Sequence, residues 1–183
     1  MAIRKILYAN DPRLRQKAKK IRDFGPQLKK LAEDMLETMR EAHGVGLAGP
    51  QVGVMQRIFV AEIPKDEDDP EAGSQSFVLI NPEITKRSTG MEEGQEGCLS
   101  IPYWYGLVER HQEIEIRAKT VNDKTITLTA EGFLARVFQH ETDHLDGILF
   151  IDHIKDKEKL WQVVPEREGD ATNNGQQAET SQI

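Results

Sequence analysis

The stretch Gln139-His-Glu-Thr-Asp-His-Leu-Asp-Gly147 carries two histidines four residues apart, with a glutamate directly after the first. On a helix, residues four apart share one face, so His140 and His144 could both reach one metal ion. Glu141 would then lie beside the ion without being a ligand. A divalent ion acidifies water, and an adjacent carboxylate can move the proton. The pattern therefore indicates metal-assisted hydrolysis, although a surface helix with two histidines has the same spacing.

A candidate third ligand is Cys98, the single cysteine of the chain, in the stretch Gly94-Gln-Glu-Gly-Cys-Leu-Ser-Ile-Pro102. A lone cysteine is more often a small buried hydrophobic residue than a ligand. The flanking glycines, however, expose the backbone and leave room for an ion. Two imidazoles and one thiolate would leave the fourth position open, as in catalytic rather than structural metal sites. A single cysteine also allows no internal disulfide, which favours a reducing compartment.

A third stretch, Gly44-Val-Gly-Leu-Ala-Gly-Pro-Gln-Val-Gly53, has little side-chain bulk. It lacks the Lys-Ser/Thr pair of a phosphate-binding loop. A tight turn between a helix and a strand would explain it. So would a loop that lets a peptide substrate lie close, because glycine permits close backbone approach. In that interpretation, Gln51 is the polar side chain able to project into the space.

The overall composition indicates one globular domain, because the chain has 183 residues, 38% of them hydrophobic and 30% charged. The net charge of −7 argues against a general nucleic-acid binder. No window approaches the ~20 apolar residues of a membrane span. We predict a single catalytic domain over residues 1–164 and a polar, disordered tail over 165–183. No apolar run of a secretory signal is present near the N-terminus, so we expect a cytoplasmic protein.

The secondary-structure elements that must position these residues are two helices and several strands. Apolar residues at helical spacing predict a helix from Pro26 to about residue 42, and the histidine pair lies on a helix predicted from Glu131 to Leu145. A short last helix is expected over 156–164, and a solvated acidic loop over 64–75. The predicted strands, of which the second ends at Asn81-Pro82, cover 57–63, 77–80, 84–91, 107–117 and 124–129.

Together and in this order, the stretches Gly44–Gln51, Glu96–Ser100 and Gln139–Gly147 resemble the three signature motifs of peptide deformylases. The resemblance extends over roughly Ile3 to Ile154. It implies an α+β fold in which antiparallel strands surround a central helix that carries the His-Glu-x-x-His motif. It also implies a hydrolase that removes the formyl group from N-formylmethionyl nascent polypeptides and releases formate. The first motif differs at Gly49, where the family usually has alanine, and this change could loosen the loop that carries the glutamine.

The resemblance also implies roles for individual residues. One divalent ion would be held by Cys98, His140 and His144, with Fe(II) expected in cells and Zn(II), Ni(II) or Co(II) as substitutes. Glu141 would act as general acid and base. The side chain of Gln51 and the backbone N–H of Leu99 would stabilise the oxyanion.

Substrate contacts are expected on both sides of the metal. Gly46, with Val45 beside it, would belong to the strip along which the substrate backbone pairs. Val137 and Phe133 precede His140 by three and seven residues, so both should face the metal side of the helix and contact a methionine side chain.

Three further expectations concern the surroundings of this site. Arg136 is expected at the rim of the methionine pocket. Glu96 and Arg110 are candidates for a pair that fixes the Cys98 turn. The other histidines are interpreted as ordinary polar residues; they are His43, His111 and His153.

The resemblance implies N-formylmethionyl peptides as the substrate, met transiently at the ribosome exit of a bacterium. We expect no direct contact with nucleic acid or membrane. We also expect a monomer, because no long apolar surface stripe is left over.

Two alternatives keep the same histidine pair. A zinc endopeptidase would take its third ligand downstream of this pair. One class uses a histidine six residues after the second, but that position is Phe150 here. Another class uses a downstream glutamate, and the candidates lie in an increasingly polar end of the chain; they are Glu158, Glu166 and Glu168. A non-catalytic binding module could hold a peptide end or a ribosomal surface on the same fold. The intact set of candidate catalytic residues argues against the second alternative.

Replacement of Cys98 by alanine separates the deformylase and endopeptidase interpretations. We expect the Cys98→Ala protein to hold well under one metal ion per chain after dialysis, because one of three ligands is missing. Metal content per chain and the far-ultraviolet circular dichroism spectrum measure binding and folding separately. A folded variant that keeps one ion per chain would support a ligand set without the thiolate.

Overall fold

The structure, a computed structural model, describes residues 2–64 and 73–163. The predicted tail over 165–183 and most of the predicted acidic loop over 64–75 lie outside these residues. The α-helices in the described ranges are Pro26–Glu41 (α1) and Gly132–Leu145 (α2). The strands there are Gly46–Ala48 (β1), Ile58–Pro64 (β2), Ser74–Arg87 (β3), Met91–Cys98 (β4), Ile101–His111 (β5), Glu113–Lys119 (β6), Thr125–Glu131 (β7) and Leu160–Gln162 (β8). None of the helices in these ranges has the length and apolarity needed to cross a lipid bilayer.

The strands form two antiparallel sheets, and strands of both sheets contact α2. One sheet has the order β1-β2-β3-β6-β7, and the other has the order β4-β5-β8. The predicted α+β class, with antiparallel strands around the helix that carries the histidine motif, is confirmed. Within the described ranges, β1 and β4 each pair on one side only, so both are edge strands that can accept another backbone.

Strand β2 lies between the two helices and explains how the five-stranded sheet is buried. Successive side chains of a strand point to opposite faces. Phe59 belongs to the apolar cluster that contains Phe138 of α2, whereas Val60 belongs to the cluster that contains Met35 of α1. All four side chains are fully buried. A strand covered on both faces is expected to be a continuous apolar run, as residues 58–61 are.

Helix α2 is fixed at its C-terminal end by a glycine. Gly147 has φ of +78°, and a Cβ there would lie 2.8 Å from the carbonyl oxygen of Arg15. The N–H of Gly147 donates to the oxygen of His144, and the N–H of Ile148 donates to that of Asp143. These two bonds form a Schellman motif, which needs a left-handed residue at this position. The predicted helix end is therefore confirmed.

Strand β3 corrects the prediction that Asn81-Pro82 ends one strand and that 84–91 forms its partner. Residues 74–87 are one strand that pairs with β2 and then with β6. Asn81 has φ of +52°, and the register shifts between Ile80 and Glu83. A β-bulge thus accommodates the proline, whose missing N–H would interrupt a regular ladder.

Two other predicted elements were wrong. The single strand over 107–117 is divided at Gln112 into β5 and β6, which belong to different sheets, and alternation alone gives no sign of the break. The helix predicted over 156–164 is a 3-10 turn at Lys157–Lys159 followed by β8. Trp161 of β8 stacks on Tyr105 with ring centroids 6.5 Å apart, so pairing with β5 prevails over local helix propensity.

Candidate metal centre and active site

The structure brings three potential metal ligands together at the junction of α2 and β4. His140 and His144 lie one turn apart on α2, and their Nε2 atoms are 3.2 Å apart. Cys98 is the last residue of β4, and its Sγ lies 3.3 Å from Nε2 of His144. The three donor atoms all lie within 4.8 Å of one another. One thiolate and two imidazoles are a donor set suited to a divalent transition metal.

The orientation of His140 is fixed from behind by Glu96. Nδ1 of His140 donates to Oε2 of Glu96 at 2.8 Å. A carboxylate can only accept, so the proton must be on Nδ1, and Nε2 presents its lone pair to the cluster. The ring of Phe150 stacks on His140 with centroids 6.2 Å apart. Carboxylate-bound histidine is the usual arrangement around metal ions in proteins.

Glu96 is in turn held by arginines. Nε and Nη2 of Arg110 donate to its two oxygens at 2.8 and 3.0 Å, and Nη1 of Arg136 adds a third bond at 3.2 Å. Burial raises the pKa of Glu96, but the hydrogen bonds from Arg110 and His140 outweigh it and lower that pKa to about 2. The carboxylate is therefore ionised at neutral pH. The expected pair of Glu96 and Arg110 is present in the structure.

Glu141 is the carboxylate on the cavity side of the cluster. Its side chain is buried, and among the described residues nothing donates a hydrogen bond to its Oε2. Burial raises the pKa of Glu141 to about 7, against the attraction of His140. A buried carboxylate oxygen without a protein partner calls for an ion, a water or a substrate group beside it. Together with the three convergent donors, this oxygen shows that the residues present fit a divalent ion and its water.

Gln51 lies on a 3-10 turn at Gly49–Val52, directly after β1. Its Oε1 accepts the backbone N–H of Ala48 at 2.8 Å. That bond directs the amide nitrogen toward the cluster, where Nε2 lies 3.2 Å from Oγ of Ser100 and 3.5 Å from Sγ of Cys98. The amide therefore offers N–H donors at the place where an oxyanion beside the metal would form.

A cavity of about 550 Å³ opens onto the cluster. Phe133 is 43% exposed and lies at its mouth, whereas Val137 is 5% exposed and also belongs to the core around α2. The structure thus brings to one cavity the residues expected to contact the substrate or the oxyanion: Val45, Gly46, Gln51, Leu99, Phe133, Arg136 and Val137.

Arg136 lines the cavity, but its charged group is engaged elsewhere. Nη1 donates to the carbonyl of Val108 at 2.7 Å, and Nη2 donates to that of Glu92 at 2.8 Å. With its bond to Glu96, the guanidinium ties α2 to both β4 and β5. Its N–H groups are therefore already paired with acceptors of the protein.

Residues 3–160 match the sequence model of the family described as Polypeptide deformylase. A peptide deformylase of Thermomicrobium roseum is 46% identical over 168 residues, which cover 92% of this chain and 95% of that protein. The crystal structure of a peptide deformylase from Legionella pneumophila superposes with a TM-score of 0.78 at 42% identity and covers 86% of this chain and 89% of that one. A class I type b peptide deformylase from Acinetobacter baumannii, crystallised with Met-Ala-Ser, has a TM-score of 0.76 at 34% identity over 83% of this chain and 98% of that one.

The chain belongs to the polypeptide deformylase family. Peptide deformylases are metal-dependent hydrolases that remove the N-formyl group from nascent polypeptides. Family membership decides against the endopeptidase and binding-module alternatives. The identity of residue 150 agrees with this conclusion. Phe150 occupies the position where one class of endopeptidase has its third histidine, and its ring stacks on His140.

Three residues of the deformylase site were not assigned from the sequence. Ser100 is fully buried and accepts from Gln51. Asp143 accepts from Nη1 of Arg110 at 2.6 Å and from Nε2 of His153 at 2.8 Å, although His153 was interpreted as an ordinary polar residue. Asp143 could have been singled out from the sequence, because it is a charged residue inside the histidine motif. Nothing local distinguished His153, because its partner is ten residues away.

Two glycines of the first deformylase motif are surrounded closely, but by different atoms. A Cβ at Gly49 would lie 2.7 Å from the carbonyl oxygen of Gln56 and 2.8 Å from that of Val54. This glycine therefore permits close packing of two backbone segments, which is the opposite of the looser loop expected from the sequence. A Cβ at Gly46 would lie 2.3 Å from Oε1 of Glu141, which is the end of a flexible side chain.

These surroundings predict different outcomes for two alanine variants. Gly46→Ala should lower kcat at least ~10-fold, because Glu141 must move, while the free energy of unfolding changes by less than ~1 kcal/mol. Gly49→Ala should lower that free energy by about 1–3 kcal/mol, since backbone carbonyls must shift to admit the methyl group. Urea denaturation and formate release measure the two effects. Equal loss of stability in both variants would contradict this distinction.

Proposed function

We propose that this chain releases formate from N-formylmethionyl peptides at the cavity above α2, with Cys98, His140 and His144 as metal ligands. The observation that carries the assignment is the position of Glu141. Its buried carboxylate lines the same cavity as Cys98 and His140, and no described residue donates a hydrogen bond to its Oε2.

Cys98, His140 and His144 would hold the ion, which would supply a Lewis acid that acidifies water and polarises the formyl carbonyl. Glu96 fixes the tautomer of His140, so the imidazole is available as a neutral ligand. A soft thiolate beside two imidazoles suits Fe(II) or Zn(II), with Ni(II) and Co(II) as substitutes. We take Fe(II) as the ion in cells.

Glu141 is the group that moves protons. It accepts a proton from water as the water oxygen attacks the formyl carbon. It then donates that proton to the amine nitrogen as the C–N bond breaks, which leaves formate and a free α-amino group. A carboxylate held away from bulk water suits both roles.

Two N–H donors would stabilise the charge on the formyl oxygen. Nε2 of Gln51 is directed toward Cys98 by the bond that Oε1 accepts from Ala48. The backbone N–H of Leu99, the residue after Cys98, is the second donor. One such donor typically lowers the barrier by about 3–4 kcal/mol.

The substrate backbone would add to β1 as an extra strand. Gly46 lies on β1, and in the described ranges β1 pairs only with β2. Extended peptides add to such exposed edges through main-chain hydrogen bonds. The methionine side chain would then enter the apolar part of the cavity, formed by Val45, Phe133 and Val137 with the stem of Arg136. The Met-Ala-Ser seen on the Acinetobacter baumannii enzyme supports a short peptide of this type.

The cellular setting is also a proposal. Bacterial relatives and the single thiol ligand support an enzyme of the bacterial cytoplasm. We propose a monomer that meets formylated chains transiently at the ribosome exit. The net charge of −7 supports action without direct contact to nucleic acid, and we also propose no membrane contact.

The direct test is hydrolysis of formyl-Met-Ala-Ser by protein prepared without oxygen and loaded with Ni(II). We expect the wild type to release formate and Glu141→Gln to be slower by about 10²–10⁴-fold, the usual contribution of general acid–base catalysis. The variant should retain one ion per chain, since Glu141 is not a ligand. Glu158→Gln, which changes an exposed glutamate that does not line the cavity, is the matched control and should keep full activity. Unchanged formate release by Glu141→Gln would contradict the proposal.

A further inference from the structure

A line of five hydrogen bonds connects the protein surface to the metal ligand His140. The exposed end is His153, whose side chain is 36% exposed. Its Nε2 lies 2.8 Å from Oδ2 of Asp143, which also accepts from Nη1 of Arg110 at 2.6 Å. Arg110 then donates to both oxygens of Glu96, and Glu96 accepts from Nδ1 of His140 at 2.8 Å.

Arg110 is the rigid member of this line. Its guanidinium is planar, so the atom held by Asp143 and the two atoms that bind Glu96 cannot be oriented independently. Its side chain is 6% exposed, which leaves little room for water to replace a lost partner. A shift of Asp143 would therefore be passed on to Glu96 and to the imidazole plane of His140.

The contact of His153 with Asp143 is directional. A carboxylate can only accept, so Nε2 of His153 must carry the proton. Nη1 of Arg110 lies 3.4 Å from the same nitrogen, and two donors do not bond to each other. Asp143 thus lies between two donors, and each limits where its Oδ2 can lie. Within the described residues, these are the two side chains that bond to it.

We propose that His153 is a positioning residue for the metal centre. Its N–H fixes Asp143, which sets the angle of Arg110 and, through Glu96, the direction in which Nε2 of His140 points. The inference rests on the proposed metal site and concerns how firmly this chain holds its ion. The segment that carries His153 also places the buried Phe150 on the ring of His140. This segment therefore supports His140 both through the hydrogen-bonded line and through ring stacking.

The test uses two replacements of His153 that differ in one property. Glutamine can still donate a hydrogen bond to Asp143, whereas leucine has similar bulk and no donor. In the full chain, His153→Leu should weaken Co(II) binding on the order of 3- to 10-fold, below the 10–100-fold usual for a partner that touches the ligand itself. His153→Gln should remain within twofold of the wild type. Competition with a chelator gives the affinity.

The spectrum of the Co(II) protein reports geometry independently of activity. We expect His153→Leu to shift the visible ligand-field bands, and His153→Gln to reproduce those of the wild type. The control is His111→Leu, because His111 is also partly exposed and bonds a backbone carbonyl, that of Ser88, outside the line. It should change neither affinity nor spectrum.

A double-mutant comparison tests whether His153 acts through Asp143. If it does, His153→Leu combined with Asp143→Asn should weaken Co(II) binding no more than Asp143→Asn alone. Thermal unfolding of the metal-free variants shows whether the fold is intact. Equal effects of leucine and glutamine, or wild-type affinity and spectrum in a folded His153→Leu protein, would overturn the proposal. A wild-type chain that binds no Co(II) would instead refute the metal site on which it rests.

Discussion

The buried carboxylate of Glu96 is the constraint on which the rest of the site depends. It accepts hydrogen bonds from Arg110 and Arg136 and from His140, one of the three candidate metal ligands. These donors lie on β5 and α2, whereas Glu96 lies two residues before Cys98 on β4. One ionised group thus sets where the histidine helix and the cysteine strand meet. A buried charge is stable only with such partners, so α2 and β4 cannot separate without exposing it.

The apolar core holds α2 in position from the opposite side of the helix. Phe138 packs against Phe59 and Phe77, with ring centroids 5.5 and 5.2 Å away, and is fully buried. That face holds the helix on the five-stranded sheet, while His140 and Glu141 face the cavity. One face of α2 therefore packs in the core, and the other face carries the candidate catalytic groups. The last turn closes on Gly147, which ends α2 just beyond His144 and lets the following segment return so that Phe150 stacks on His140.

Much of this arrangement could be predicted from the sequence, because the chemistry is concentrated in short motifs. The spacing of His140 and His144 predicts a shared helix face, and the turn around Cys98 predicts a third ligand. The division of residues 107–117 between two sheets could not be predicted, since alternation is the same on both sides of Gln112. The link from His153 to Asp143 was also missed, because it depends on how the chain returns after α2.

The measurement that tests the account most directly is X-ray absorption at the zinc edge of the Zn(II)-loaded protein. The geometry predicts one sulfur at about 2.3 Å, from Cys98, and two imidazole nitrogens at about 2.0–2.1 Å, with a light oxygen atom in the remaining position. That result would show that the Cys98 thiolate, His140 and His144 bind one ion whose fourth coordination position is not filled by the protein. A first shell without sulfur, or one filled by four protein ligands, would contradict the account.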